Sequence, residues 1–566
     1  MPNFYRDNKD ILFQIKNMDL ANIIAMREEN YTQKNTFPEA PQDLNDALDN
    51  YDRVLEIIGE IAGDIIAPRA PQVDLDGATY NDGEVTYAKG TQVAIDRLTK
   101  ADLMGFTLPR RFGGLNLPKI LYSVAIEIIS RADAALMNIF GLQEIAETIN
   151  HFGSEDQRQR FLPRFCRGEV FGAMALTEPD AGSDLQAVTL SACEGGDGYW
   201  YLNGVKRFIT NGCANVSLVL ARSEEGISGG RGLSFFLYER DKNMRIRRIE
   251  NKLGIHGSPT CELQFNNAKA ELIGERRFGL VKYTMSLMNG ARLGVAAQAL
   301  GIAEAAYREA ENYAASRVQF GKPIRSFPAI QEMITDMRVA IEAGRTLLYE
   351  TSRIVDIKES LEDIIEHHPE RKTELQDNYK RYNKFASLFT PIAKAYNSEM
   401  ANKVSYDALQ VHGGNGFMKD FNIERHYRDA RITNIYEGTT QLQVVAAIGG
   451  IVSGVLFARI DEYEANNDFS SIAELHYKAH ELRKLLEMAL NHIKNKNDKL
   501  FQEYHERRLV EMGTDVIISY LICIDALKAE HKQIIAQLFI SKALSRNKGV
   551  VDYILTNDGF VGTGLS

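Results

Sequence analysis

The chain has few cysteines, and they show none of the spacings that signal a disulfide framework or a zinc site. Five cysteines are scattered over 566 residues, and no two form a C-x-x-C pair, which excludes the common zinc-ribbon arrangements. An odd and dispersed set is typical of a reducing compartment. His476 and His480 stand one helical turn apart without an evident third ligand, so we predict no metal site.

Long apolar runs and an excess of basic residues are also missing. No stretch approaches the roughly 20 apolar residues that cross a bilayer, and the first residues lack the basic start and apolar run of a signal peptide. The formal net charge is −10, whereas nucleic-acid binding depends on clusters of Lys and Arg. We therefore expect a cytoplasmic protein with no membrane span and no nucleic-acid partner.

Hydrophobic periodicity divides the chain into helical and β segments. The spacing is helical from about residue 45, and it shifts towards two where β-branched and aromatic residues concentrate, as in 217–222 and 233–238. Helical spacing resumes after Gly290. We predict a mostly helical α+β protein with an N-terminal helical domain, a β domain, a helical bundle domain and an extra C-terminal helical domain, at residues 1–170, 171–275, 276–450 and 451–566.

Three local patterns give further predictions. Asn203-Gly204 lies between two strand-like runs, and this pair tolerates the positive φ angles of a tight turn, so we predict a hairpin there. The charge-rich stretch 351–385 keeps helical spacing, which favours an exposed helical hairpin over a disordered linker. An amphipathic stripe from Ile472 to Ile493 predicts a long helix in the C-terminal domain.

The first of three segments rich in glycine, hydroxyls and acids is Leu-Thr-Glu-Pro-Asp-Ala-Gly-Ser-Asp at 176–184. Pro179 and Gly182 bend the backbone there and leave the hydroxyls of Thr177 and Ser183 available for a polar ligand. A turn that merely crosses between domains is an equally good interpretation of this segment alone.

The second segment, Phe-Ile-Thr-Asn-Gly at 208–212, sets an aromatic ring two residues from a hydroxyl. On a strand, Phe208 and Thr210 would face the same side. Taken alone, such a pattern is more often a piece of core at the end of a strand.

The third segment joins Gln-Val-His-Gly-Gly-Asn-Gly at 410–416 to Tyr-Glu-Gly-Thr-Thr at 436–440. Glycines let a pyrophosphate or ring approach the backbone, and Glu437 between an aromatic residue and a glycine is poorly placed for an ordinary surface acid. The glycine run does not follow a predicted strand, so it is not a dinucleotide-binding fingerprint.

Together these segments resemble the acyl-CoA dehydrogenase family over roughly residues 80 to 450. The resemblance is carried by 176–184, 209–212, Arg-Val-Gln-Phe-Gly at 317–321, Arg-Asp-Ala-Arg at 428–431 and Ile-Tyr-Glu-Gly-Thr at 435–439. It implies a central β-barrel-like domain followed by a four-helix bundle, and the length resembles that of relatives with an extra C-terminal helical domain.

The resemblance also implies the chemistry. FAD-dependent members convert an acyl-CoA thioester to a trans-2-enoyl-CoA: a base takes the Cα proton and the Cβ hydride goes to flavin N5. Glu437 matches the base of short- and medium-chain members, with its backbone amide and a flavin hydroxyl as donors to the thioester oxygen. Other members carry the base on a helix at the position of Ala291, which has no carboxylate here.

Residue by residue, the resemblance predicts a flavin site and a substrate site. The flavin contacts are Thr177, Ser183, Phe208, Thr210, Arg317, Phe320, Gln410, Gly414, Thr439 and Gln441. The substrate contacts are Ser183, Arg292 and Gly438. Family members commonly have tryptophan at the position of Phe208, and Asn289 replaces an acid often found near Arg292.

The resemblance further implies electron-transfer flavoprotein as the electron acceptor and, given the extra C-terminal domain, a homodimer. Two alternatives stay open: an acyl-CoA oxidase that passes electrons to oxygen, and a non-catalytic flavin-carrying relative. The acyl chain length cannot be derived from the sequence, although Ala134, Ala135 and Gly141 are small residues in the helices expected to shape the acyl pocket.

Overall fold

The computed structural model describes residues 2–557, which form two compact units. The first unit comprises the chain up to Leu12 together with Ile24–Ala305 and Gly414–Thr433. The second comprises Phe13–Ile23, Ala306–Gly413 and the chain from Asn434 onwards. The predicted combination of helical regions around a central β region is confirmed.

The N-terminal region is helical, as predicted, with one short hairpin. Its helices are α1 Lys9–Asn17, α2 Ala21–Arg27, α3 Leu44–Glu60, α4 Ala70–Asp76, α5 Lys89–Lys100, α6 Lys119–Ala132, α7 Ala134–Phe140, α8 Glu144–Phe152 and α9 Glu155–Cys166, and its strands are β1 Thr79–Asn81 and β2 Glu84–Thr86. Asp133 separates α6 from α7 because its extended backbone breaks the helix and its carboxylate caps the amide of Ala135. Ser154 and Gln157 form a capping box at the start of α9.

The central region is a barrel-like sheet. Its strands are β3 Gly172–Ala175, β4 Ser191–Glu194, β5 Trp200–Thr210, β6 Val216–Arg222, β7 Leu233–Glu239, β8 Met244–Ile249 and β9 Thr260–Leu272. The strand order is β6-β4-β5-β9-β7, and the sheet closes because β7 also pairs with β6. In addition, β3 pairs with β6 and β8 pairs with β9. Alternate side chains such as Leu202, Val219, Phe236 and Leu263 fill one core of this sheet.

The predicted hairpin at Asn203-Gly204 is wrong. β5 runs without a turn from Trp200 to Thr210, and the pairing with β9 shifts by a residue between Leu202 and Asn203. Gly204 has φ of 140°, and a Cβ there would lie 3.0 Å from Leu190. The extra residue of this β-bulge is Asn267 of β9, with φ of 54°. Gly204 therefore serves a close approach of chains rather than a reversal.

Helices return after the sheet. They are α10 Met285–Ser316, α11 Pro328–His367, α12 Lys372–His412, α13 Ile423–Ala430, α14 Thr440–Val452, α15 Val455–Asn466, α16 Ala473–Lys496, α17 Lys499–Lys528 and α18 Glu530–Thr556, with strands β10 Val318–Gln319 and β11 Lys322–Pro323. A short turn at Pro369–Arg371 joins α11 to α12, which confirms a helical hairpin over 351–385. The hairpin is not exposed along its whole length as predicted, because α11 buries Ile354, Ile357 and Leu361. Within residues 2–557 no single helix meets the length and hydropathy criteria for a bilayer span, although α14 and α15 meet them as a bent pair.

One apolar core runs through the second unit from α11 and α12 to α18. The predicted stripe on α16 is confirmed, since it buries Ala479, Leu482, Leu486, Ala489 and Ile493. A buried ionic cluster lies beside this core. Glu350 of α11 accepts from Arg353 at 2.7 Å, from Arg459 of α15 at 2.5 Å and from the Tyr463 hydroxyl at 2.9 Å.

Candidate active site

The loop 176–184 rests on a buried ion pair in the first unit. Lys206 Nζ donates to Glu178 Oε1 at 2.8 Å and to the Leu176 carbonyl at 2.8 Å, and both charged side chains are buried. Burial lowers the pKa of Lys206 to about 8, although Glu178 acts to raise it. Thr177 is half-buried and Ser183 is exposed, so both hydroxyls lie outside the buried pair.

Phe208 occupies a strained position at the end of β5. The pairing with β9 shifts between Lys206 and Ile209, and Phe208 has φ of 60° with 52% of its surface exposed. A non-glycine residue at positive φ costs of order 1–3 kcal/mol, and such strain clusters at functional sites. Ile209 is buried in the core, while Thr210 is half-buried.

Arg292 lies on α10 and is 6% exposed. Its Nη1 donates to Asn289 Oδ1 at 3.0 Å, so the residue that replaces the usual acid still contacts the arginine. Gly414, also in the first unit, is exposed, and a Cβ built on it would have no atom within 4 Å.

The Arg-Asp-Ala-Arg motif anchors α13 in the first unit. Arg428 Nη2 pairs with Asp74 at 2.6 Å, and Asp74 also pairs with His256 Nδ1 at 2.9 Å. The next residue, Asp429, accepts the amide of Ile255 at 2.5 Å. Burial raises the pKa of Asp429 to about 6. Both acids therefore hold the helix that directly precedes the predicted catalytic segment in the sequence.

The segment that carries Glu437 is a tight turn in the second unit. Glu437 and Gly438 have φ of 54° and 89°, and Thr439 caps the start of α14. Gln443 Nε2 donates to the carbonyls of Glu437 at 3.2 Å and Gly438 at 2.9 Å, while Lys394 Nζ donates to the Gly438 carbonyl at 2.7 Å. Gln443 and Lys394 are both 0% exposed, so buried hydrogen-bond donors hold the turn in place.

A second strained turn presents an aromatic ring. Phe320 and Gly321, between β10 and β11, have φ of 51° and 79°, a combination that suits a tight hairpin. Phe320 is 93% exposed, and Arg317 next to this hairpin is also exposed. The ring of Phe320 is therefore accessible to a ligand or a partner.

The glycine run after α12 is open. Gln410 is exposed in the last turn of α12, and Gly413 has φ of 59° with no atom within 4 Å of a Cβ built on it. His412 is buried and stacks on Tyr313 with ring centroids 4.3 Å apart. Stacking on Tyr313 makes His412 part of the packing of the second unit.

The predicted residues divide between the units. The first unit holds Thr177, Ser183, Phe208, Thr210, Arg292 and Gly414, and the second holds Arg317, Phe320, Gln410, Glu437, Gly438, Thr439 and Gln441. The Arg207 amide donates to the Thr177 carbonyl at 2.9 Å, which ties the first loop to the strand of Phe208. Glu437, Gly438 and Thr439 form a single turn.

Four supporting side chains were not predicted: Glu178, Lys206, Lys394 and Gln443. Lys394 lies in the run Phe-Thr-Pro-Ile-Ala-Lys-Ala at 389–395 and Gln443 in Leu-Gln-Val-Val-Ala-Ala at 442–447. A lone polar residue inside an apolar helical run is the signal that could have identified both, because buried polar groups need partners.

Four family models match the chain in succession. They are the N-terminal, middle and C-terminal domains of acyl-CoA dehydrogenase at residues 52–169, 173–268 and 281–448, and "Acyl-CoA dehydrogenase C terminal" at 452–557. The chain belongs to the acyl-CoA dehydrogenase family. It is therefore an FAD-dependent oxidoreductase.

Two curated relatives cover much of this acyl-CoA dehydrogenase. An acyl-CoA dehydrogenase from Bacillus subtilis is 37% identical over 62% of this chain and 86% of its own. The 3-methylmercaptopropionyl-CoA dehydrogenase of Ruegeria pomeroyi is 33% identical over 71% of this chain and 70% of its own.

Two solved acyl-CoA dehydrogenase structures are similar to the model. Butyryl-CoA dehydrogenase from Megasphaera elsdenii has a TM-score of 0.61 and 32% identity, and covers 71% of this chain and 98% of its own. The acyl-CoA dehydrogenase of Bacillus anthracis complexed with FAD has a TM-score of 0.75 at 23% identity, and covers 90% of this chain and 89% of its own. At that identity, the second match supports the fold alone.

Within each unit taken by itself, residues predicted to contact FAD are exposed enough to do so. In the first unit, the strained Phe208 offers a half-exposed ring, and Thr210 is half-buried. In the second unit, Phe320 offers an exposed ring, and the space above Gly413 would be filled by any side chain there. Open glycines of this kind let a pyrophosphate approach the backbone.

Proposed function

We propose that the protein desaturates a short acyl-CoA thioester, with Glu437 as the base that removes the Cα proton. FAD, when bound, supplies the hydride acceptor for Cβ, so the product is a trans-2-enoyl-CoA. The flavin contacts would be the residues predicted for it, from Thr177 and Phe208 to Thr439 and Gln441, and the substrate contacts would be Ser183, Arg292 and Gly438.

The turn at Glu437 is the observation that carries this proposal. A side chain held at positive φ by two buried donors is costly, and a surface loop without a task has no need of it. The fixed carbonyls of Glu437 and Gly438 also fix the peptide planes on either side of Gly438. The Glu437 amide therefore belongs to a rigid turn, as a hydrogen-bond donor to a thioester oxygen must.

Proton removal is hard for a carboxylate, because its ordinary pKa near 4.3 is far below that of the substrate α-hydrogen. A rigid base held beside the substrate lowers the barrier to proton transfer, because less entropy is lost on reaching the reactive geometry. A hydrogen-bond donor to the thioester oxygen makes the Cα proton more acidic. In this chain Glu437 would hold the proton, and the turn below it would keep the carboxylate in place.

Glu437→Gln tests the base. General-base catalysis contributes about 10²- to 10⁴-fold, so we expect losses of that order in anaerobic flavin reduction by butyryl-CoA and in exchange of the Cα proton with deuterated water. Glu366→Gln, at the exposed end of α11, is the matched control and should behave like the wild type. Normal α-proton exchange in the Glu437 variant would remove the base from the proposal.

A short acyl group is supported by the packing beside Ala291 on α10. A Cβ built on Gly294 would lie 3.1 Å from Met137 Cε and 3.6 Å from Ile126 Cδ1, and one on Gly141 would lie 3.0 Å from Met137 Cε. Met137 therefore fills the space that the glycines leave. A series of acyl-CoA thioesters of increasing chain length should give the fastest flavin reduction at four or five carbons, in keeping with the name of the butyryl-CoA dehydrogenase of Megasphaera elsdenii.

We also propose electron-transfer flavoprotein as the acceptor, a homodimer as the assembly and the cytoplasm as the location. The exposed Phe320 and Phe417, at 93% and 80%, support contact with a second copy. Reduced enzyme mixed separately with electron-transfer flavoprotein and with air tests the acceptor, and rapid peroxide formation in air would favour an oxidase.

A further inference from the structure

Two of the five cysteines, far apart in sequence, are neighbours in the barrel. Cys261 lies on β9 opposite Ile209, and Cys213 follows the turn that ends β5. A Cβ built on Gly212 would lie 2.8 Å from Cys261 Cβ. The Cys213 thiol donates to Asn211 Oδ1 at 3.6 Å and to the Tyr87 hydroxyl at 3.8 Å, and Cys213 and Cys261 lie close enough to shift each other's pKa.

The surroundings of Cys213 favour reaction at its sulfur. Cys213 is half-buried whereas Cys261 is buried, so a small solute reaches Cys213 first. The Arg240 guanidinium donates to the Cys213 carbonyl at 3.1 Å. Pairing with Cys261 lowers the pKa of the Cys213 thiol, with a further contribution from Arg240. Thiolate character together with partial exposure marks a reactive cysteine.

The remaining cysteines, Cys166, Cys193 and Cys523, differ from Cys213 in burial or in the pKa of the thiol. Burial raises the pKa of Cys166 and of Cys523 to about 12, so both are inert thiols. Cys193 is exposed. The chain therefore carries a natural internal comparison between paired, buried and exposed thiols.

We propose that Cys213 and Cys261 form a dithiol site that reacts with hydrogen peroxide to give a disulfide. The disulfide would tie the end of β5, immediately after Thr210, to β9. Disulfide formation in the presence of an oxidant would therefore constrain the end of the strand that carries the predicted flavin contacts Phe208 and Thr210. Within a reducing compartment, disulfides are usually transient and redox-sensing in this way.

The reaction balances with peroxide as the oxidant. The Cys213 thiolate attacks one peroxide oxygen, the O–O bond breaks, and the sulfur becomes a sulfenic acid while the other oxygen leaves as water after taking a proton. The Cys261 sulfur then attacks the Cys213 sulfur, the S–O bond breaks, and a second water leaves. Two thiols and one peroxide give one disulfide and two waters.

The test uses the full chain loaded with FAD and treated with a small excess of hydrogen peroxide. Thiol titration should fall from five to three, and dithiothreitol should restore it. Alkylation followed by peptide mapping should find one linked pair, Cys213 with Cys261. An unchanged thiol count, or oxidation of Cys213 with Cys261 still open to alkylation after unfolding, would overturn the proposal.

Variants locate the reaction further. Cys213→Ser should abolish the linked peptide, and Cys261→Ser should leave a sulfenic acid on Cys213 that dimedone traps. Cys166→Ser, a buried cysteine changed in the same way, should keep the linked pair. A disulfide that still forms without Cys213, or that joins Cys193 instead, would contradict the assignment. The peptide mapping of the peroxide-treated wild-type protein tests the proposal even if a variant fails to fold.

Discussion

Lys394→Met removes a buried donor beneath the turn of Glu437. Lys394 Nζ donates to the Gly438 carbonyl at 2.7 Å and is 0% exposed. A hydrogen bond to a charged group contributes about 1.5–3 kcal/mol, and about 1.4 kcal/mol corresponds to a tenfold change in rate. If this bond holds the turn in its reactive geometry, flavin reduction should slow by about 10- to 150-fold.

Anaerobic stopped-flow reduction by butyryl-CoA measures this effect, with FAD content and Tm recorded for each variant. We expect kcat to fall while KM changes little, because the change acts on the placement of the base. Lys403→Met is the matched control, since Lys403 lies on the same helix but is 69% exposed and pairs with Asp407. The reasoning would be refuted by a flavin-loaded, folded Lys394 variant that reacts at the wild-type rate.

Gln443→Leu gives an independent check, because Gln443 donates to the same carbonyl at 2.9 Å. Each single change should slow the reaction, and the double variant should lose less than the sum of the two free-energy changes. Two groups that support one turn are not additive. Strict additivity would mean that the two side chains act on different parts of the structure.

Three further predictions concern single buried side chains, and a fourth concerns the assembly. Burial alone would raise the pKa of Glu350, but Arg353 and Arg459 lower it to about 2, so its stabilisation is present above the ordinary value near 4.5 and is lost as pH falls towards 2. Thermal melts should show Glu350→Gln to be about 3–5 kcal/mol less stable at pH 7, with a smaller difference in acid. Burial raises the pKa of Asp429 to about 6, so the contribution of this group to stability should decrease as pH rises from about 4 to 6, and the stability difference between the wild type and Asp429→Asn should show that slope. Met137→Ala should shift the preferred acyl chain towards longer thioesters, with unchanged preference as the contrary result. Light scattering should give twice 63.6 kDa, and four times that mass would contradict a dimer.

The sequence predicted the type of most elements because each has a strong period. The helical spacing after Gly290 became α10, and the alternating runs at 217–222 and 233–238 became β6 and β7. The amphipathic stripe of α16 was visible because one face is buried along its whole length. In such segments local pattern and tertiary packing agree.

The hairpin error shows where local pattern fails. Asn-Gly favours a turn in isolation, but pairing with β9 on both sides of Gly204 keeps β5 extended, and Leu190 packs against the glycine. The gain from a long paired strand exceeds the local turn preference. Register of this kind depends on partners distant in sequence.

The side chains that support the predicted site could not be predicted from the sequence, because they contact it from distant parts of the chain. The Glu178–Lys206 pair joins residues 28 positions apart, and the Lys394–Gly438 bond joins residues 44 apart. Glu437 is predicted as the base because its neighbours in the sequence are distinctive, but nothing local shows which helix contacts its turn. The proximity of Cys213 to Cys261 is equally a product of the barrel.

Helix α14 starts at the cap formed by Thr439 and continues into the apolar core, where Val444, Ala447 and Ile451 pack among residues of α16 to α18. A protein shortened to end near Ile451 would expose this side of the helix to water. Removal of residues 452–557 would therefore destabilise the helix that begins directly after the turn of Glu437.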